Sequence, residues 1–216
     1  MSKISLKHSG GNVVSLNSPT SAPTSADVAF KLPNADGTSG QAIVTDASGN
    51  LSFASVAGGK ILQVISAAKT DTFTTNNGPA SPAAITDLYA IITPSSSSNK
   101  VLITVNVGAC STTNNDYACY FHLYKNGVAI SGAKGDTAGS RTLTTFAARG
   151  STFARYTTAS MTYLDSPATT SATTYQLYMS VEVNGGSAVL NRSGQDTDQE
   201  AYPRTISTFT VMEVAA

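Results

Sequence analysis

NKVLITVNVGACSTTNNDYACYFHLYKNGVAI, residues 99–130, decides the fold. Val101, Ile103, Val105 and Val107 alternate with Leu102, Thr104 and Asn106, the period of two that places successive side chains on opposite faces of a strand. After a polar loop, Cys119, Phe121 and Leu123 alternate in the same way with Tyr120, His122 and Tyr124. The second run ends at Lys125-Asn126-Gly127-Val128. Asn-Gly between apolar runs marks a type I′ hairpin, because that turn needs positive φ at both central residues. The stretch reads as part of an antiparallel β-meander.

Composition narrows the possibilities. The chain has 216 residues, of which 41% are hydrophobic, enough for one good-sized core with an appendage. Only 12% are charged, about half of the roughly 25% usual in globular domains. Ser, Thr, Ala and Gly take their place, which suits both exposed sheets and a subunit that buries surface in an assembly. The net charge is zero, so nothing points to nucleic acid or an anionic membrane as a partner. MSKISLKHSGGNVVSL lacks the apolar core of a signal peptide, and no run approaches the ~20 apolar residues of a membrane helix. The expectation is a protein made in a cytosol, outside the general secretory route and without membrane insertion.

Working outward, residues 4–7, 12–16, 28–32, 41–45 and 51–54 read as short strands. Residues 18–27, SPTSAPTSAD, read as an extended Pro/Ser/Thr segment. Strands with so few large apolar residues bury too little to fold alone. They need further copies of the chain or a docking protein. SVAGGK at 55–60 has the glycine pair of a junction, which divides the chain into an N-terminal anchor or shaft, 1–57, and a β-sandwich knob, 58–216.

Within the knob, residues 61–67, 72–75, 84–93, 141–147, 161–164, 175–183, 188–191 and 206–214 read as strands. Asn184-Gly185-Gly186 reads as a second hairpin turn. About eight to ten antiparallel strands without a helical period point to an all-β, two-sheet jelly roll. Several strands are apolar on both faces: Tyr120, His122 and Tyr124 back the core phase, and Phe209 and Val211 lie in a strand whose one charge is Glu213. Either these strands are central in one sandwich, or the next subunit of a cyclic homo-oligomer covers their second face.

Chemistry is sparse. His8 and His122 do not form a metal motif with each other or with a cysteine. Asp196, Asp198 and Glu200 alternate as calcium ligands can, without the glycine and closing glutamate of an EF-hand loop. There is no nucleophile elbow, phosphate loop or dinucleotide fingerprint. No enzyme, cofactor or metal is expected. Cys110 and Cys119 flank a loop at a spacing that permits a disulfide, and the cytosolic setting favours reduced, buried thiols. Loops 111–116, 131–140, 147–158 and 194–203 carry Tyr and Asn with Arg149, Arg155, Arg192 and Arg204, types common in recognition.

Residues 28–56, VAFKLPNADGTSGQAIVTDASGNLSFASV, resemble a module of bacteriophage tail-fibre and virion structural proteins. The shared features are Leu32-Pro33, Asp36-Gly37, Gly40-Gln41, Thr45-Asp46, Ser48-Gly49-Asn50-Leu51 and Phe53. GKILQVISAAKTDTFTTNN (59–77), ITPSSSSNKVLI (92–103), YLDSPATTSATTY (163–175) and STFTVMEVAA (207–216) resemble the C-terminal domain of fibre-type proteins of marine and cyanobacterial phages. The resemblance implies a virion protein assembled in the bacterial host cytoplasm as a homotrimer; with it, the two-sided strands make Tyr120, His122, Tyr124, Phe209 and Val211 the candidate interface residues. It implies a tail fibre docked on the tail or baseplate, its knob meeting a host-surface glycan or protein. The shortness of the arm keeps a capsid decoration protein open as the alternative.

Overall fold

A computed structural model describes residues 3–7, 9–11, 13–17, 31–46, 48, 50–55, 60–113, 117–149 and 155–216. The chain divides into two compact units, Met1–Gly58 and Gly59–Ala216. The extended reading of 18–27, most of the 28–32 strand, His8 and the glycine pair of the junction lie outside the described residues.

The first unit contains two separate two-stranded antiparallel sheets: β1 (Lys3–Lys7) with β2 (Val13–Asn17), and β3 (Gln41–Thr45) with β4 (Leu51–Ser55). Motif residues of the 28–56 module build the second hairpin. Asp46 Oδ1 accepts the amides of Ser48 and Asn50 at 2.8 and 3.1 Å, and Asp46 Oδ2 accepts Asn50 Nδ2 at 2.6 Å. These bonds, first of all the one from the Asn50 side chain, hold the Asp46 carboxyl below its ordinary pKa. Gln41 Oε1 accepts the Thr38 amide across a turn in which Gly40 has φ 86°. Gly37 lies against the Phe53 ring, 2.6 Å from where its Cβ would be, so no side chain fits there.

The second unit comprises β5 (Ile61–Lys69), β6 (Phe73–Thr75), β7 (Ala83–Ile92), β8 (Lys100–Thr112), β9 (Ala118–Lys125), β10 (Val128–Ala129), β11 (Phe146–Arg149), β12 (Thr157–Asp165), β13 (Thr173–Val181), β14 (Ala188–Leu190) and β15 (Ser207–Val214). The long strands pair as nested hairpins: β5 with β15, β7 with β13, β8 with β12, and β9 with β11, all antiparallel. First meets last and fourth meets fifth, which is the jelly roll, one long hairpin folded over into two sheets. One sheet runs β12-β8-β15-β5, with β14 and β6 continuing beside the far end of β8; the other runs β7-β13-β9, with β10 and β11 along the outer edge of β9.

The inward phases fill the space between the sheets. Val101, Ile103 and Val105 of β8, Phe121 of β9, Tyr175, Leu177 and Met179 of β13, and Phe209 and Val211 of β15 are completely enclosed. In β7 the alternation breaks at Asp87, which adopts φ 61°, and the register against β13 slips between Gln176 and Tyr178. This bulge points both Ile85 and Leu88 inward. The Asn126-Gly127 turn is as expected, with φ 49° and 77° and Val128 opposite Lys125.

Four sequence expectations are corrected. Strands β8 and β9 are not neighbours in a meander, because the polar loop between them crosses from one sheet to the other. Asn184-Gly185-Gly186 does turn, with Gly185 at φ 84°, yet joins β13 of one sheet to β14 of the other. The 141–147 strand is displaced to Phe146–Arg149, where Phe146 stacks on Phe121 with ring centroids 4.7 Å apart. Phe209 and Val211 face the core of their own chain and offer no surface to a partner.

Among the described residues, the buried Lys69 and Asp165 have partners. Lys69 is enclosed, its Nζ donating to Asp71 at 2.8 and 2.9 Å and to Thr86 Oγ1 at 3.2 Å. Asp165 Oδ2 accepts Tyr175 Oη at 2.6 Å and Lys125 Nζ at 2.9 Å. Burial, then the bond to Asp165, pushes the Tyr175 hydroxyl pKa up.

Candidate functional site

The surfaces available for recognition are the outer faces of the two sheets and the loops at their ends. On the β12-β8-β15-β5 sheet the registers define three cross-strand rows. Leu164, Leu102, Met212 and Val64 form the first; Thr162, Thr104, Thr210 and Ser66 the second; Ser160, Asn106, Thr208 and Ala68 the third. Ser66 and Thr210 join their hydroxyls at 2.8 Å. A register slip at Val214 leaves both Ile61 and Leu62 exposed next to the first row. Val64 is 57% and Leu164 48% exposed. None of these side chains carries a charge. Lys100 stands at the rim, donating to Ser166 Oγ.

The outer face of the other sheet is aromatic. Tyr89 lies opposite Gln176, and Gln176 opposite Tyr124; Tyr178 is opposite His122 and Ser180 opposite Tyr120. Tyr124 and Tyr178 stack with ring centroids 3.7 Å apart. Tyr89 and Ile91 are exposed, Tyr120 and Tyr124 half-buried. His122 is buried, its Nε2 3.0 Å from Ser180 Oγ. Burial first, and the nearby Lys134 charge second, lower its pKa to about 4. Thus the five candidate interface residues separate: Tyr120 and Tyr124 lie on an outer face, His122 is closed in beneath it, and Phe209 and Val211 are in the core.

Among the recognition loops, 111–116 and 147–158 come together. Ser111 Oγ donates to the Arg155 carbonyl, and the Thr113 amide to the Ser187 carbonyl. Residues 114–116 and 150–154 lie outside the described residues. In the 194–203 loop, Arg204 and Arg192 pair with Asp196 at 2.5 and 3.7 Å, and the Arg204 bond is the main cause holding the Asp196 carboxyl below its ordinary pKa. Asp198 and Glu200 are exposed, and among the described residues no group of three or more His, Cys, Asp or Glu is placed to hold a metal. No helix among them is long and apolar enough to cross a membrane.

Two features escaped sequence reading. The charge-free rows depend on register between strands far apart in sequence, which no local pattern supplies. Glu213 was legible in principle, since period two from Phe209 and Val211 places it inward.

No protein-family description matches the chain, and no curated protein matches it. Among solved structures, the crystal structure of the infectious bursal disease virus VP2 subviral particle is similar at 12% identity and a TM-score of 0.32, over 80% of this chain. The matched region spans 45% of that protein. At that TM-score the likeness assigns neither fold nor function.

Proposed function

We propose that the chain is a non-enzymatic structural component of a bacteriophage particle, a homotrimeric tail fibre. Its first unit docks on the tail or baseplate, and its jelly roll meets the host surface. The observation that carries this reading is the construction of the 28–56 module. Asp46, Asn50, Gly37, Phe53, Gly40 and Gln41, six of the residues on which the resemblance to phage fibre proteins rests, each have a definite part in one hairpin. That hairpin cannot stand alone. Two-stranded sheets are marginal in water, and Leu32, Ile43 and Val44 are 80%, 57% and 39% exposed. Neighbouring copies and a docking protein would cover them.

A capsid decoration protein is the second reading. Each hairpin strand is five residues long, about 17 Å, and its partner runs back alongside it. Such hairpins suit clamping onto a neighbouring subunit as well as attachment to a tail.

Immunogold labelling of intact particles with antibody to residues 59–216 tests the proposal. Gold confined to the tail is expected. Gold over the head would replace the fibre with the decoration protein, and unlabelled particles would remove both.

A further inference from the structure

We infer that the cleft between the β9–β10 turn and the end of β12 binds the ring of a neutral sugar; this rests on the jelly roll meeting the host surface under the proposed function, and it names the chemistry of that contact. The cleft has a volume of about 310 Å³, at the lower end of ligand pockets and on the scale of one sugar unit. Lys125 ends β9 in one sheet and Asp165 ends β12 in the other. Asp165 is buried, and both of its bonds fall on one oxygen: Oδ2 accepts Tyr175 Oη at 2.6 Å and Lys125 Nζ at 2.9 Å. Among the described residues no donor reaches Oδ1, and Lys125 uses one of its three N–H bonds. The Tyr163 hydroxyl, a further wall of the cleft, makes no hydrogen bond to them. Gly132 lets the chain pass this hydroxyl, since a Cβ there would lie 2.8 Å from it. A buried carboxylate oxygen without a donor is costly, so the cleft favours a molecule that brings an O–H.

The charges select the class of ligand. Lys125 and Asp165 cancel, so an anion that gains the ammonium meets the carboxylate, and a cation meets the reverse. One carboxylate beside an ammonium does not hold a metal ion. A trans peptide points its N–H and C=O in opposite directions and cannot serve both groups from one side. Neighbouring hydroxyls on a sugar can: one donates to Asp165 Oδ1, and the next accepts from Lys125 Nζ and meets the Tyr163 hydroxyl. The rim supplies the rest. Val128 borders the cleft and is 69% exposed, an apolar side chain for the C–H face of a pyranose.

Saturation-transfer NMR on the full-length chain provides the test. The neutral probes are the methyl glycosides of glucose, galactose, mannose, rhamnose and N-acetylglucosamine, and the charged probe is glucuronic acid. Saturable binding of at least one neutral glycoside in the millimolar range is expected, a strength that several copies together turn into firm attachment. Tyr163→Phe removes a hydroxyl that the fold does not use, so the melting temperature should stay that of wild type while affinity falls about 10-fold. Val128→Asp, at the exposed rim, should also weaken binding without unfolding the chain. Wild-type affinity in both variants would place the sugar elsewhere and overturn the site. Binding of glucuronic acid alone would overturn the neutral class. Binding of none of the probes would overturn the inference and leave the virion reading standing, since immunogold labelling tests that reading separately.

Discussion

Asn99 Nδ2 donates to Glu213 Oε1 at 2.6 Å, tying the loop before β8 to the last strand across 114 residues of chain. The same oxygen accepts the Ser95 amide and hydroxyl at 2.6 and 2.7 Å, and Oε2 accepts Gln63 Nε2 at 2.6 Å. Burial by itself would raise the pKa of this carboxyl; the four hydrogen bonds outweigh it and hold the pKa at about 2. The unfolded chain takes up this proton near 4.5. Between those values the unfolded state binds more protons, so the stabilisation is complete above pH 4.5 and lost as pH falls toward 2. Glu213→Gln should cost about 2–3 kcal/mol at pH 7 in urea unfolding, with the gap to wild type closing below pH 4.5. A constant gap from pH 7 to pH 2 would show that the charge is not what the site holds.

His122 titrates in a different window. Its folded pKa of about 4 lies below the ordinary 6.5, so the unfolded state protonates first. Stability should fall as pH drops from 6.5 to 4 and then level off for this group. In His122→Gln that descent should disappear from thermal melts over the same range, leaving the Glu213 window. A descent of wild-type size in the variant would mean that another group is responsible.

Phe209 belongs to the core, so its replacement acts on the fold. Phe209→Ala should destabilise the second unit by roughly 3–5 kcal/mol, read as a lower urea midpoint. A variant as stable as wild type that changes only in solution mass would place Phe209 between subunits.

Cys110 and Cys119 are buried and free, and the neighbouring Cys119 thiol, then burial, pushes the Cys110 pKa up. The Cys119 thiol also donates to the Ser111 carbonyl at 3.0 Å. A disulfide-exchange reagent should find no reactive thiol in the native protein and two per chain in denaturant. Rapid native reaction, or no thiols after denaturation without reductant, would contradict this state.

Much of the fold was legible because period two survives in nearly every long strand, and because Asn126-Gly127 has a turn chemistry with one meaning. What alternation cannot say is which sheet a strand joins. The loops after Thr112 and after Val181 look like hairpin connections, yet both cross between sheets, since their pairing is set by strands elsewhere in the chain. Alternation shows that Phe209 and Val211 share a face, not what covers it; here the opposite sheet does. The bulge at Asp87 hid for a related reason, as a left-handed aspartate leaves no mark in the sequence. Of the candidate site, alternation shows that Tyr120 and Tyr124 oppose Phe121, not what covers them, and the neutral rows from Val64 to Leu164 required the register.

The assembly claim is tested most directly by the solution mass of the full-length chain at micromolar concentration. Three times 22.1 kDa is expected; a single 22.1 kDa species across the concentration range would contradict the trimer.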